Sequence, residues 1–180
     1  MPPSTTTSYY MDFVEPTDKL KDKVGGLPTL APPALPWNPN DGKDYAFLME
    51  LWTDDKRLPV PSASCIQFYQ CLEPGSNPLA IALPSGYTAP FEEMGVIKVH
   101  PDIREWSISY REVSDPNPLP EDMDRAPYFR SKLGGEDPTS FDFDGRKFLG
   151  FLKNNPVGFD FAGLSMAFYW KDDKIEVHLL

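Results

Sequence analysis

Nucleophilic or metal chemistry in these 180 residues would have to draw on two histidines, His100 and His178, and two cysteines, Cys65 and Cys71. Neither His stands near a Cys at the spacing that zinc sites use, so no metal centre is expected. "HPD" at 100–102 sets an imidazole beside a carboxylate, as a general base requires, but the Pro between them reads as a surface turn. Serines adjoin Gly in "LPSGY" (83–87) and "GLSMA" (163–167), each without the Gly pair that frames a hydrolase nucleophile. "DFDG" (142–145) opens like a calcium loop, then loses the ligand spacing and has no closing Glu in register. Both cysteines sit in "CIQFYQC", a strand-like run in which they would lie ~20 Å apart, far beyond the ~7 Å Cα limit of a disulfide. They read as free core thiols in a reducing, cytoplasmic setting. The expectation is a non-enzymatic protein without cofactor or metal.

One further constellation is repeated. "DKVGGLP" (22–28) recurs as "SKLGGEDP" (131–138), a Lys, an aliphatic residue and a Gly pair followed by Pro. A Gly pair admits positive φ and the close approach of another backbone. Its amide groups could instead cradle an anion beside Lys23 or Lys132, although neither pair has the spacing of a phosphate loop or a dinucleotide fingerprint.

The elements that must position these residues are short. Of the 21 prolines, ten gather in 27–40, 57–64 and 114–124, where they exclude helix and mark loops. Between them lie strand-length apolar runs: 45–52, 64–72, 78–84, 94–100, 104–113, 147–154, 164–172 and 174–180. In "REWSISYREV" the alternation is plain, with Trp106, Ile108 and Tyr110 on one face. Asp172 and Asp173 mark a hairpin turn. Helix is predicted only as short pieces at 18–24 and 90–95. The fold class expected is therefore α+β, predominantly antiparallel β with few short helices.

The halves agree beyond the Gly pair. Each continues through a loop to an "FL" strand, Phe47–Leu51 and Phe148–Leu152, and then to an aromatic strand holding Phe68 and Tyr69 or Phe168 and Tyr169. This predicts an internal duplication within one compact domain, residues 1–180, with related halves at about 18–84 and 127–180. The blocks Lys23 to Pro28 with Phe47 to Leu51, and Lys132 to Gly135 with Phe148 to Leu152, resemble the YwqG-like family of bacterial proteins, a group of unknown function. Glu50 stands where that family usually has Gln, and Glu136 with Asp137 postpone the second Pro. The resemblance implies a sheet-rich fold of two related halves and no catalytic residues.

Charge bears on partners. Twenty-seven acids against 17 bases leave a formal charge of −10, which argues against nucleic acid and anionic membranes and for a basic protein partner. The acids concentrate at about 90–125, between the repeats, where duplication does not account for them. Glu92, Glu93, Asp102, Glu105, Glu112, Asp115, Glu121, Asp122 and Asp124, with Trp106 and Tyr110 as aromatic anchors, are the expected partner-binding residues. The functional expectation is an immunity protein that neutralises a cognate basic toxin, possibly a nuclease, by occlusion. The alternative is a small-molecule or anion-binding module, or an uncharacterised enzyme, using the cleft between the halves.

Overall fold

The computed structural model describes residues 4–34, 36–38, 43–71, 77–90, 98–119, 127–139, 145–153 and 165–180. It contains twelve strands: β1 (Ser4–Val14), β2 (Lys23–Val24), β3 (Trp37–Asn38), β4 (Lys43–Trp52), β5 (Ala63–Cys71), β6 (Leu79–Pro84), β7 (Lys98–Val99), β8 (Trp106–Asn117), β9 (Lys132–Gly134), β10 (Lys147–Leu152), β11 (Met166–Lys171) and β12 (Lys174–Leu179). Ten follow one path, β12-β11-β10-β9-β1-β8-β2-β4-β5-β6, with β3 and β7 attached to β4. The path curls until β12 meets β6, giving a near-closed barrel that is 56% strand and 2% helical.

The expected α+β class is thus overturned in favour of an almost wholly antiparallel β barrel. The predicted helix at 18–24 shows why. Its charged spacing suits a helix, yet the Asp22 carbonyl accepts the Ile108 N–H at 2.9 Å and Lys23–Val24 pair with both β4 and β8. Sheet pairing on two sides outweighs a weak local preference. Most of the other predicted helix, 91–95, lies outside the described residues.

The strand order is a palindrome, the order that a duplicated chain would give. β1, β2, β4, β5 and β6 correspond in turn to β8, β9, β10, β11 and β12. Local details repeat with the order. Both "FL" strands carry an irregularity, at Phe47/Met49 and at Phe148/Gly150. The Ser131 carbonyl accepts the Met11 N–H at 2.9 Å, as Asp22 does for Ile108. Asp22 Oδ1 receives the Trp52 N–H at 2.8 Å, and Ser131 Oγ receives that of Lys153 at 3.0 Å. Phe47 meets Tyr69 edge-on at 5.8 Å between centroids, and Phe148 meets Tyr169 at the same 5.8 Å.

The copies are interleaved. β1 of the first pairs with β9 of the second, while β8 of the second pairs with β2 of the first, and β1 and β8 run antiparallel along their whole length. This corrects the domain reading in one respect. The acidic stretch at 90–125 is no insertion between repeats, because its main strand, β8, is the counterpart of β1. That equivalence escapes the sequence: with Met11 set against Ile108, "STTTSYYMDFV" and "WSISYREVSDPN" are identical at no position.

Alternation along each strand sends Met49, Leu51, Ile66, Phe68, Leu152, Met166 and Phe168 into the barrel, where Phe68 and Phe168 meet edge-on at 5.0 Å. Each such side chain, fully withdrawn from water, contributes roughly 1.5–3 kcal/mol. The outer face of β4 and β5 is buried too. The Pro-rich loop lies over it, with Gln67 Nε2 donating to the Leu30 carbonyl at 2.8 Å and the Thr29 N–H reaching Glu50 Oε2 at 3.0 Å. Burial on both faces accounts for the nearly continuous apolar runs in these strands.

Candidate functional site

The Gly pairs are settled by their geometry. Gly25 and Gly26 have φ of 69° and 68°, and Gly134 and Gly135 have 65° and 72°. A Cβ on Gly25 would collide with the Arg104 carbonyl oxygen, one on Gly26 with the Glu105 carboxylate, and one on Gly135 with Ser8 Oγ. The Gly25 N–H already donates to the Leu48 carbonyl at 2.8 Å. Both pairs therefore serve close packing of one copy on the other, the structural role of the two considered. Lys132 is no anion ligand either, being fully buried against Asp115, and Lys23 faces Glu105 at 4.0 Å.

The expected partner-binding residues divide. Asp102 and Glu112 are exposed, and Glu105 is 44% exposed at its side chain. Trp106 is half-buried, with the Arg104 guanidinium stacked 3.7 Å from its ring centre. Two assignments are corrected. Asp115 has no exposure at all, and the Tyr110 hydroxyl points inward to donate to Asp22 Oδ2 at 2.6 Å beneath Arg57. A central strand must place every second residue against the protein, so acidic residues along β8 cannot share one outer face. Glu92, Glu93, Glu121, Asp122 and Asp124 lie outside the described residues.

Three buried polar networks occur among the described residues. In the first, Asp115 accepts Lys132 Nζ at 2.8 Å, Tyr10 Oη at 2.9 Å and a short hydrogen bond from Ser8. In the second, Asp22 holds the Trp52 N–H and Tyr110, with Arg57 Nη1 at 3.3 Å, and Arg57 Nε in turn meets Asp54 at 2.8 Å. In the third, Glu50 takes Thr29 through its backbone and hydroxyl, with Gln67 Nε2 at 3.4 Å. Burial pushes the Asp22 and Glu50 carboxyls above their ordinary range, against the opposing pull of these hydrogen bonds. Sequence reasoning passed over Asp22 and Glu50. The one available signal was their position, beside the repeated Lys and in place of the expected Gln.

Among the described residues, both cysteines and His100 are buried. Cys65 and Cys71 are free and buried, and burial pushes the Cys65 thiol far up. His100 is 8% exposed, its Nδ1 accepts the Asp102 N–H at 3.2 Å, and burial lowers its pKa. This is the turn expected of "HPD". No cluster of three or more metal-ligating side chains occurs among the described residues, and most of "DFDG" falls outside them.

Open space lies instead on either side of the central β1–β8 pair, in two clefts related by the duplication. One, of about 480 Å³, is bordered by Lys21, Trp52 and Ser107, and the other, of about 400 Å³, by Arg130, Lys153 and Tyr10 at the matching positions. A scan against protein-family models matches none, and a search of curated proteins finds no match. The YwqG-like resemblance thus rests on the motifs alone.

Proposed function

We propose that this protein acts by binding rather than by catalysis, and that its partner is a basic protein. The observation that carries this reading is the fate of the titratable groups. Asp22, Glu50 and Asp115 are each buried and fixed by two or more hydrogen bonds, while Glu15, Asp18, Asp102 and Glu112 remain exposed. Withdrawn from solvent, these three carboxylates are out of hydrogen-bond reach of a substrate, which a general base requires. Exposed acids on a chain of net charge −10 accelerate encounter with a cationic partner. Neutralisation of a basic toxin is the concrete form of the proposal, with Asp102, Glu105 and Glu112 as its steering residues and without Asp115 or Tyr110.

The test is capture of the partner from the source cells, followed by association kinetics of the wild type and of a variant combining Asp102→Lys, Glu105→Lys and Glu112→Lys. Association of the variant is expected to slow by about tenfold or more at low salt and to approach the wild type at high salt. Equal rates at low salt would overturn the acidic-steering reading.

A further inference from the structure

The two clefts beside the β1–β8 pair share a frame and differ in charge. Their frame follows from the backbone bonds that Asp22 and Ser131 make to the neighbouring strands, so both copies build the hollow in the same way. In the first-copy cleft, Lys21 and Lys23 are opposed by Asp18 and Glu105. In the second-copy cleft, Arg111, Arg130 and Lys153 face one carboxylate, Asp12. Arg111 consumes that carboxylate, meeting its two oxygens at 2.8 and 3.2 Å. Arg130 and Lys153 are exposed and make no ion pair with any described residue. Two cations without a carboxylate partner at the mouth of one cleft set up a local positive potential that attracts an anion.

The remainder of the cleft is shaped to hold more than a bare ion. Tyr10 forms its floor, 6% exposed, and is fixed from behind by the hydrogen bond to Asp115. Ser131, also 6% exposed, has its Oγ held by the Lys153 N–H and its hydroxyl proton committed to no described acceptor. Trp106 supplies an apolar wall, held in place by Arg104 on its ring. Cations at the mouth, a hydroxyl donor within and an aromatic wall make a site for an organic anion.

We propose that this cleft binds a small organic molecule bearing a phosphate or carboxylate group, with the oxyanion held by Arg130 and Lys153 and the apolar body against Trp106. None of Asp102, Glu105 and Glu112 lines this cleft, and its test alters none of them. Arg111, already paired, contributes less than the other two cations.

The intact protein is titrated calorimetrically with phenyl phosphate, benzoate and inorganic phosphate at low salt. Saturable one-to-one binding is expected for at least one of the organic anions, tighter than for inorganic phosphate. Arg130→Ala with Lys153→Ala is expected to weaken it by about tenfold or more, while Lys174→Ala, at the far hairpin, leaves it unchanged. Phosphate favoured over benzoate would identify a phosphoryl ligand, and the reverse order a carboxylate. Binding of inorganic phosphate as tight as that of both organic anions would overturn the role of Trp106. No saturable binding up to about 10 mM, or equal loss in the Lys174→Ala control, would overturn the site.

Discussion

Lys132 Nζ lies 2.8 Å from Asp115 Oδ2 with neither side chain exposed to solvent, and the pair sits where β8 and β9 of one repeat enclose β1 of the other. Ser8 and Tyr10, both on β1, complete its hydrogen bonds. A buried pair of this kind contributes little net stability compared with apolar residues of the same volume, but losing one partner strands a charge. Ser8 and Tyr10 tie it to β1, so the three strands share one buried network.

Lys132→Met and Asp115→Asn are therefore each expected to destabilise the fold by about 3–5 kcal/mol, because each strands the charge of the other residue. Urea denaturation of the double variant should show it less destabilised than the sum of the single changes. Strict additivity would mean that the two side chains do not interact.

Two glycines at positive φ should respond differently to the same substitution. Gly25→Ala places a methyl group against the Arg104 backbone, with the Arg104 carbonyl carbon at 2.8 Å, whereas Gly86→Ala meets nothing within 4 Å. Gly86→Ala should cost only the left-handed penalty, about 1–2 kcal/mol. Gly25→Ala should add a clash that neither backbone can relieve, bringing the loss to about 3 kcal/mol or more, read from denaturation midpoints.

Glu50 gives a signature in pH. Burial holds its folded pKa above the ordinary 4.5, so folding favours the protonated form. The stabilisation from that proton is complete below the ordinary carboxylate range and is lost as pH rises through the folded pKa. Glu50→Gln, which has no proton to lose, should gain on the wild type with every step upward from about pH 4.5 until Glu50 is fully ionised. Asp22, shifted in the same direction, leaves a residual slope in the variant. Parallel stability curves for the two proteins across pH 4.5–8 would show that Glu50 does not titrate in this window.

The strands legible in the sequence are those whose side chains announce both faces. "CIQFYQC", "KFLGFL" and the Asp172–Asp173 hairpin, with φ of 48° and 60° at its turn, appear where alternation and turn chemistry put them. The repeated phrase was legible through its Gly pairs, of which Gly25 and Gly134 lie against backbone of the other half and Gly26 and Gly135 against its side chains. β1 was not, because its outer-facing Ser8 and Tyr10 are polar residues buried by a partner, Asp115, that lies 107 positions from Ser8. Nor was the fate of β8, since acidic content suggests a solvated face and only three-dimensional pairing shows Asp115 to be internal. The open cleft at Arg130 and Lys153 joins residues 23 positions apart that belong to no motif, so local spacing carried no sign of it.

The interleaving of the two copies is the claim on which this architecture stands, and a single cut tests it. With a protease site placed between Pro90 and Lys98, the folded chain can be cleaved after it has formed. Because β1 is held by β9 and β8 by β2, the two pieces should co-elute from a native sizing column and unfold together in one transition. Separation under native conditions into two independently folded halves would contradict the interleaved barrel.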